Sequence, residues 1–253
     1  MAQISLALQL YTVRDHLAKD LTGTLKKVKD MGYDLVEMPG LLSDDAQQAK
    51  ELLDDIGLRG VGMHVALNLQ EADLDTWIAN AKTLGLADIA VPYLPEDRRK
   101  TREDWLAFAG LMDGLGARCK AQGMRLSYHN HSFEFVKFDG VYALDLLYEN
   151  TSPDNVYAQI DTYWVKHGGA DPVAYVRNYA GRLPTLHIKD MAPDENRSFA
   201  EIGNGILDWE AIHEAALEGG VEYYIVEQDR CAGDSLDSAR ISHDFVMQNL
   251  LAE

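Results

Sequence analysis

The stretch Gln122-Gly123-Met124-Arg125-Leu126-Ser127-Tyr128-His129-Asn130-His131 decides the fold that we predict for this chain. It places a glycine directly after a helical run, then an apolar residue, then a short strand that ends in polar side chains. Glycine tolerates the left-handed conformation in which helices often end. The same order recurs at Met31-Gly32-Tyr33, Ile56-Gly57-Leu58, Leu84-Gly85-Leu86 and Gly219-Gly220-Val221. These repeats predict a β-α unit that is used several times.

Eight short apolar runs alternate with eight amphipathic stretches along the 253 residues. The predicted strands are Ile4–Leu8, Leu35–Glu37, Gly60–His64, Ile89–Val91, Arg125–Asn130, Val156–Ile160, Thr185–Ile188 and Tyr223–Glu227. The predicted helices span residues 15–31, 45–56, 71–84, 101–122, 140–149, 171–180, 208–219 and 235–251. Strands that alternate with helices form parallel sheets, and eight such units close economically into a barrel. We therefore predict the α/β class and a (β/α)8 TIM barrel in a single domain, residues 1–253, with an open doubly wound sheet as the alternative.

The composition argues against several classes of protein. Acidic residues number 41 against 23 basic ones, and the net charge of −18 repels nucleic acid and anionic membranes. We see neither an apolar run of about 18 residues, as a membrane span requires, nor the pattern of a signal peptide. Cys119 and Cys231 are too few for a disulfide framework. We expect a cytoplasmic protein without nucleic-acid or membrane partners, and a homo-oligomer stays possible.

Acidic and imidazole side chains stand at the ends of six predicted strands. They are Glu37, His64, the pair His129 and His131, Asp161, His187 and Glu227. The active site of a parallel barrel lies at the C-terminal ends of its strands, so we expect these side chains to meet there. His129 and His131 are two residues apart and therefore share one face of a strand. Glu227 follows an apolar run, where an unpaired carboxylate is costly to bury.

Such a set of donors is typical of a divalent metal site. Carboxylate oxygens and imidazole nitrogens suit Mn, Mg, Co or Zn, and a mixed set that leaves one position open is a catalytic arrangement. Each residue also has a structural interpretation. Asp161 could cap a helix, His187 could be a hydrogen-bonded core histidine, and Glu37 could bind a neighbouring strand.

The ordered set of motifs resembles the xylose-isomerase-like TIM barrel superfamily, in its branch of sugar phosphate isomerases and epimerases. The resemblance runs from end to end of the chain, and no single motif would be specific. It rests on Leu8-Gln9-Leu10-Tyr11-Thr12-Val13-Arg14, Val36-Glu37, Tyr128-His129-Asn130-His131-Ser132-Phe133-Glu134-Phe135, Ile160-Asp161-Thr162-Tyr163-Trp164, Leu186-His187-Ile188-Lys189-Asp190, Glu201-Ile202-Gly203-Asn204-Gly205, Asp208-Trp209 and Val226-Glu227.

The resemblance implies one divalent metal ion that is held by side chains from the fifth to the eighth strand. Asp161, His187 and Glu227 match three of these positions. At the fifth strand His129 stands where relatives often have a glutamate. We expect Glu134, in the loop just after, to be the fourth ligand, with His129 as the alternative.

The resemblance also implies proton transfer next to the carbonyl of a sugar or keto-sugar. Glu227 is the expected base, His129 or His131 would return the proton, and Lys189 would stabilise the oxyanion. The residues expected to contact the substrate are Glu37, His64 and Trp164, the last as a platform for a sugar ring. Together these assignments predict a metal-dependent sugar isomerase or epimerase.

Other activities on the same barrel stay open. If His129 has replaced a catalytic glutamate, the chemistry moves toward dehydration or elimination, as in a lyase or dehydratase, or toward a deglycosidase of 3-keto-glycosides. A non-catalytic sugar-binding barrel is a weaker alternative, and the acidic charge opposes a DNA-repair endonuclease. The sequence shows no basic cluster that would bind a phosphorylated substrate.

Overall fold

The computed structural model describes residues 3–252. Eight parallel strands close into a barrel, with the neighbour order β1-β8-β7-β6-β5-β4-β3-β2. The barrel strands are β1 (Ser5–Gln9), β2 (Leu35–Met38), β3 (Arg59–His64), β4 (Asp88–Val91), β5 (Arg125–His129), β6 (Val156–Asp161), β7 (Thr185–Ile188) and β8 (Tyr223–Val226). Closure of the sheet confirms the predicted (β/α)8 TIM barrel over the open doubly wound sheet.

Ten α-helices lie among the described residues and connect the strands. They are α1 (Arg14–Leu17), α2 (Leu21–Asp30), α3 (Ala46–Ile56), α4 (Leu67–Thr83), α5 (Arg102–Ala121), α6 (Ala143–Glu149), α7 (Thr162–His167), α8 (Pro172–Asn178), α9 (Trp209–Gly219) and α10 (Ser235–Asn249). The glycines of the repeated motif have positive φ, as predicted; Gly57 has φ 82° and donates its N–H to the Leu53 carbonyl. The motif therefore ends helices in the way the sequence indicated.

The helix predicted over residues 71–84 begins earlier, at Leu67, with a kink at Asp73. Two further predicted helices differ from the observed ones. The helix predicted over residues 15–31 is interrupted because the Asp20 side chain accepts a hydrogen bond from the Gly23 N–H and starts α2 afresh. The helix predicted from residue 140 begins at Ala143 instead, because residues 137–142 form a small hairpin whose turn has positive φ at Asp139 and Gly140. Neither difference changes the order of the barrel.

Two elements near the strand ends were not predicted. The short helix α7 follows β6 directly, with Asp161 as its N-cap. The long connection after β7 is not irregular throughout, because Asp190–Met191 pairs antiparallel with Phe199–Ala200. Both elements lie beside the carboxyl ends of the strands, where the candidate site residues meet.

The main hydrophobic core lies between the barrel and its helices. Trp105, Phe108 and Met112 of α5 are buried against strand residues such as Leu126 and Tyr128. Side chains at alternating strand positions point the other way, into the barrel. In residues 3–252 no helix has the length and apolar character that crossing a membrane would require.

Candidate functional site

Four buried side chains from consecutive strands converge inside the C-terminal end of the barrel. His129 ends β5, Asp161 ends β6, His187 lies in β7 and Glu227 follows β8. One potential ligand atom from each lies within 4.8 Å of those of the others, and all four residues are buried. The structure thus brings together Asp161, His187 and Glu227, as the sequence predicted, and adds His129 to them.

Strand pairing explains this convergence. Asp161 is the register partner of His187 across the β6–β7 pair, and His129 pairs with Gln159 across β5–β6. Since Gln159 and Asp161 are two residues apart, both point to the interior face. Asn130 holds the strand end in place, because its side-chain oxygen accepts a hydrogen bond from the Asp161 N–H at 2.9 Å.

His187 lies between two carboxylates. Its Nδ1 is 2.8 Å from Glu227 and its Nε2 is 2.8 Å from Glu37. Burial would lower the pKa of His187, but the charges of Glu37 and Glu227 outweigh it and raise this pKa to about 9. Both ring nitrogens are paired in this structure, so a metal at Nδ1 would displace the proton shared with Glu227, while Glu37 on Nε2 would keep the ring oriented, as carboxylates commonly do for metal-binding histidines.

Lys189 is the one ammonium group that we find within this cluster among the described residues. It is 1% exposed, and its Nζ lies 2.9 Å from Asp161, 2.8 Å from Glu227 and 2.7 Å from Asp229. Burial would raise the pKa of Glu227, yet Lys189 and His187 hold it far below its usual range. Glu227 is therefore ionised and able to bind a cation.

Two buried polar atoms at the centre of the cluster lack a hydrogen-bond partner within the described residues, namely Nδ1 of His129 and Oδ2 of Asp161. For Oδ2 of Asp161 the nearby Lys189 supplies charge without hydrogen-bond geometry. Burial, with the neighbouring His187, lowers the pKa of His129 well below normal, so its imidazole is neutral. A neutral imidazole and unpartnered carboxylate oxygens are the donors that a divalent cation requires. The residues present therefore fit the metal that the sequence predicts.

Glu134 does not join this cluster, although the sequence favoured it as the fourth ligand. Its carboxylate accepts hydrogen bonds from the Tyr128 hydroxyl at 2.8 Å and from the His131 N–H at 2.9 Å. Tyr128 points to the face of β5 opposite His129, so Glu134 is drawn away from the barrel interior. Burial raises the pKa of Glu134 to about 7. The geometry thus favours His129, the alternative, at the fourth position.

Glu37 also lies elsewhere than expected. It is 1% exposed, and Gln9, Gln159 and His187 donate hydrogen bonds to its carboxylate at 2.7–2.8 Å. His64 lies 3.1 Å from the same group. Burial would raise the pKa of Glu37, but His64 and His187 hold it well below its usual range. A carboxylate so enclosed supports His187 and does not face a substrate.

A reaction pocket of about 240 Å³ opens above the cluster. His64, His129, His131 and Glu227 line it, together with the aromatic rings of Tyr11 and Tyr93 and with Pro39, Pro92 and Asp229. The pKa of His131 falls to about 3 because of burial and the charge of Lys189. Trp164 packs against His131, with ring centroids 5.3 Å apart. The histidines expected to act on or contact a substrate thus face the pocket.

Three supporting residues were missed in the sequence. Gln9 and Gln159 hold Glu37, and Asp229 holds Lys189. The sequence held an indication for two of them. Gln159 lies two residues before Asp161, on the same face of β6, and Asp229 lies two residues after Glu227. For Gln9, its place at the end of β1 was the only indication.

A family model described as xylose isomerase-like TIM barrel matches residues 25–247. The chain is 24% identical to inosose dehydratase of Geobacillus kaustophilus (strain HTA426), over 92% of this chain and 87% of that protein. Its alignments with inosose dehydratases of Lacticaseibacillus casei and Clostridium tetani span only about half of those proteins' length, 52% and 58%.

Solved structures share the fold over nearly the whole chain. A sugar phosphate isomerase/epimerase from Parabacteroides distasonis superposes with a TM-score of 0.84 at 23% identity, covering 99% of this chain and 100% of that one. The IOLI protein, whose crystal structure has a bound zinc atom, superposes with a TM-score of 0.75 at 14% identity, covering 98% of each chain. At these identities the likeness establishes the fold alone.

Proposed function

On the premise that this chain belongs to the xylose isomerase-like TIM barrel family, we propose that it is a metal-dependent lyase that removes water from a keto-sugar or keto-polyol. The reaction begins with loss of a proton from the carbon next to the carbonyl. His129, Asp161, His187 and Glu227 would hold one divalent cation, chosen among Mn, Mg, Co and Zn. The IOLI protein, which shares the fold, has a bound zinc atom, and this is consistent with the proposal of a metal.

One observation favours dehydration over epimerisation. An imidazole, His129, occupies the fifth-strand position in the cluster, and Glu134 is turned away from it. The carboxylates that line the pocket are Glu227 and Asp229, and Asp229 is bound to Lys189. An enzyme that moves a proton between two faces of one carbon needs a base on each face, whereas elimination needs one base and one acid. The inosose dehydratases among the relatives support the same outcome.

The residues of the pocket take different roles in this reaction. When bound, the metal polarises the carbonyl and stabilises the negative charge that develops on its oxygen. Glu227, which lines the pocket, accepts the proton from carbon. The electron pair of that C–H bond forms a double bond and expels the hydroxyl on the next carbon. The ammonium of Lys189, 2.8 Å from Glu227, gives that hydroxyl a proton, so water leaves, and the neutral imidazole of His131 helps to orient the hydroxyl.

Epimerisation or isomerisation, the activity first expected from the sequence, is the second candidate. His131 lines the pocket, and its Nδ1 has no partner among the described residues. If the hydroxyl stays on carbon, a proton returns to the enediolate instead, and the neutral imidazole of His131 is placed to relay it. The two candidates share the removal of the first proton and differ only in the fate of the enediolate.

The test is to incubate the enzyme, loaded with Mn²⁺, with inososes and with ketoses in deuterated water. Proton NMR would follow deuterium at the carbon beside the carbonyl, and ultraviolet absorbance would follow the unsaturated product. We expect the product of water loss; deuterated epimers without water loss would select the second candidate. Absence of both reactions with every substrate would contradict the proposal and favour a non-catalytic sugar-binding barrel.

A further inference from the structure

A second cavity, of about 800 Å³, opens beside the reaction pocket. Tyr11 and Asp229 line both, so the two cavities are adjacent at the mouth of the barrel. The reaction pocket, at about 240 Å³, is roughly three times smaller. Binding sites for whole ligands usually have about 300–1,000 Å³, so the larger volume is room for a ligand group in its own right.

Aromatic rings form one wall of this cavity. Phe199 stacks on Tyr163 with centroids 4.1 Å apart, and Trp164 meets Phe199 edge to face at 5.6 Å. Tyr11, which is 39% exposed, lies on the side shared with the reaction pocket. Flat apolar faces of this kind stack on the rings of sugars and of aromatic groups.

The wall is held rigidly from behind by Asp190. The Asp190 carboxylate accepts hydrogen bonds from the Gly203, Gly205 and Leu207 N–H groups and from the Trp209 indole at 2.7–3.2 Å. A side chain at Gly205 would collide with this carboxylate. The Tyr163 hydroxyl also donates to the Arg197 carbonyl at 2.7 Å, which ties the hairpin to α7. A wall fixed in this way loses little freedom when a ligand binds.

Three arginines from separate segments of the chain line the same cavity, namely Arg14, Arg197 and Arg230. Within residues 3–252 none of the three has a carboxylate within ion-pair distance, although the chain has 41 acidic residues. Arg14 and Arg197 instead donate to backbone carbonyls. The remaining guanidinium N–H groups are available to hydroxyl oxygens of a ligand. Because these arginines are far apart in sequence, no basic cluster was visible before the fold was known.

We infer that this cavity is a subsite for a second ring, so that the substrate is a keto-sugar bonded to another sugar or cyclic group. The inference rests on the proposed function, which places the reacting ring in the neighbouring pocket. Aromatic walls and a volume larger than the reaction pocket suit a ring, whereas a phosphate alone would leave both unused. Asn196 and Ser198, which also line the cavity, offer further partners to ring hydroxyls.

The kinetic test compares 3-ketoglucose with a 3-keto-disaccharide that has the same reacting ring, using the Mn²⁺-loaded enzyme. We expect kcat/KM to be at least about tenfold higher for the disaccharide, the size of effect that an aromatic contact can give. Phe199→Ala and Arg230→Ala should each remove most of this preference. Arg240→Ala, an exposed arginine of α10 that pairs with Asp237 away from the cavity, is the matched control and should keep it.

Binding without reaction separates this inference from the proposed function. Cellobiose and glucose have no ketone on the ring, and quenching of tryptophan fluorescence would give their affinities. Tighter binding of cellobiose that is weakened by Phe199→Ala and Arg230→Ala would support the subsite even if no keto-sugar reacts. If keto-sugars react but neither kinetics nor binding favours the second ring, the subsite is refuted. Preference for a ketose phosphate over the disaccharide would overturn it too.

Discussion

The two ends of the barrel interior are built from the same eight strands and yet differ in chemistry. At the N-terminal end Ala7, Leu35, Val61 and Ile225 form a small apolar cluster. At the C-terminal end the interior is filled with charged and imidazole side chains, among them Glu37, His129, Asp161, His187, Lys189 and Glu227. The apolar cluster fills and closes the barrel, whereas the charged and imidazole side chains are not needed for closure. Such division between a stabilising end and a reactive end is general in this fold.

Buried acids at the two ends are also satisfied differently. Asp88, at the start of β4, accepts a hydrogen bond from Ser127 at 2.9 Å and lies 3.4 Å from the single charge of Arg125, although Oδ1 of Asp88 has no hydrogen-bond partner among the described residues. At the C-terminal end Lys189 alone contacts three carboxylates, while Nδ1 of His129 and Oδ2 of Asp161 have no hydrogen-bond partner among the described residues. Buried charges are costly, and a group of buried charges that cannot all be paired does not indicate a stabilising role. It is better explained by a ligand.

The sharpest contrast uses two glutamates on either side of β8. Glu227→Gln removes the proposed base at the C-terminal end, and we expect proton exchange from the keto-sugar to fall by about 10²–10⁴-fold. Glu222→Gln makes the same substitution just before β8, where Glu222 is paired with Arg125. It should keep activity within about threefold, since it contacts no pocket residue. NMR exchange rates measure both, with circular dichroism to show that each variant is folded. Normal exchange in Glu227→Gln would refute its role as base.

A second contrast lies along β5, where Ser127 and His129 are two residues apart on one face. His129→Ala should weaken Mn²⁺ binding by about 100-fold, because one of four proposed ligands is lost. Ser127→Ala, nearer the N-terminal end of the barrel, should leave the affinity unchanged. Competition with a fluorescent chelator measures both. Glu134→Gln tests the other candidate ligand, and a larger loss there than in His129→Ala would reverse the assignment made from the geometry.

Metal removal should destabilise the protein, and only the site at the C-terminal end of the barrel should be responsible. At a Mn²⁺ concentration about 100 times its dissociation constant, binding adds about 2.7 kcal/mol to the free energy of unfolding. For a domain of this size that corresponds to a rise in melting temperature of about 5–10 °C, which chelation should reverse. Differential scanning calorimetry would measure it. The effect should be lost in Asp161→Asn and kept in Asp88→Asn; equal responses in both would contradict a site at Asp161.

The smallest expected effect is on the free energy of unfolding and involves Asp88, at the start of β4. Burial raises the pKa of Asp88 to about 6, against the lowering influence of Arg125. Since the folded state holds this proton more tightly than the unfolded state, Asp88 favours folding more as the pH falls. Relative to Asp88→Asn, the wild type should gain about 1 kcal/mol of unfolding free energy between pH 7 and pH 5. Urea denaturation at the two pH values tests this, and a constant difference would show that Asp88 does not titrate there.

Sequence periodicity was enough to predict the barrel and much of the cluster. Glycine caps marked the units, and the polar ends of strands placed Asp161, His187 and Glu227 on one edge. The position of Glu134 was beyond that reasoning, because it depends on the Tyr128 hydroxyl, which needs an acceptor on the outer face of β5. Alternation along a strand says which face a residue takes, but not which way a loop side chain turns.

The second cavity was equally hidden. Arg14 begins α1, whereas Arg197 and Arg230 lie in the connections after β7 and β8, and no pattern of local spacing connects the three. Their meeting depends on the path of the long connection after β7, which the Asp190 carboxylate fixes through backbone N–H groups. Contacts of that kind involve the main chain and therefore leave little trace in the residue types.

A crystal of the protein soaked in Mn²⁺, with anomalous diffraction data collected above the manganese edge, is the most direct test of the metal centre. We predict one strong peak inside the C-terminal end of the barrel, within bonding distance of His129, Asp161, His187 and Glu227. A peak bonded to Glu134 and not to His129, or no peak among these side chains at millimolar Mn²⁺, would contradict the proposed centre.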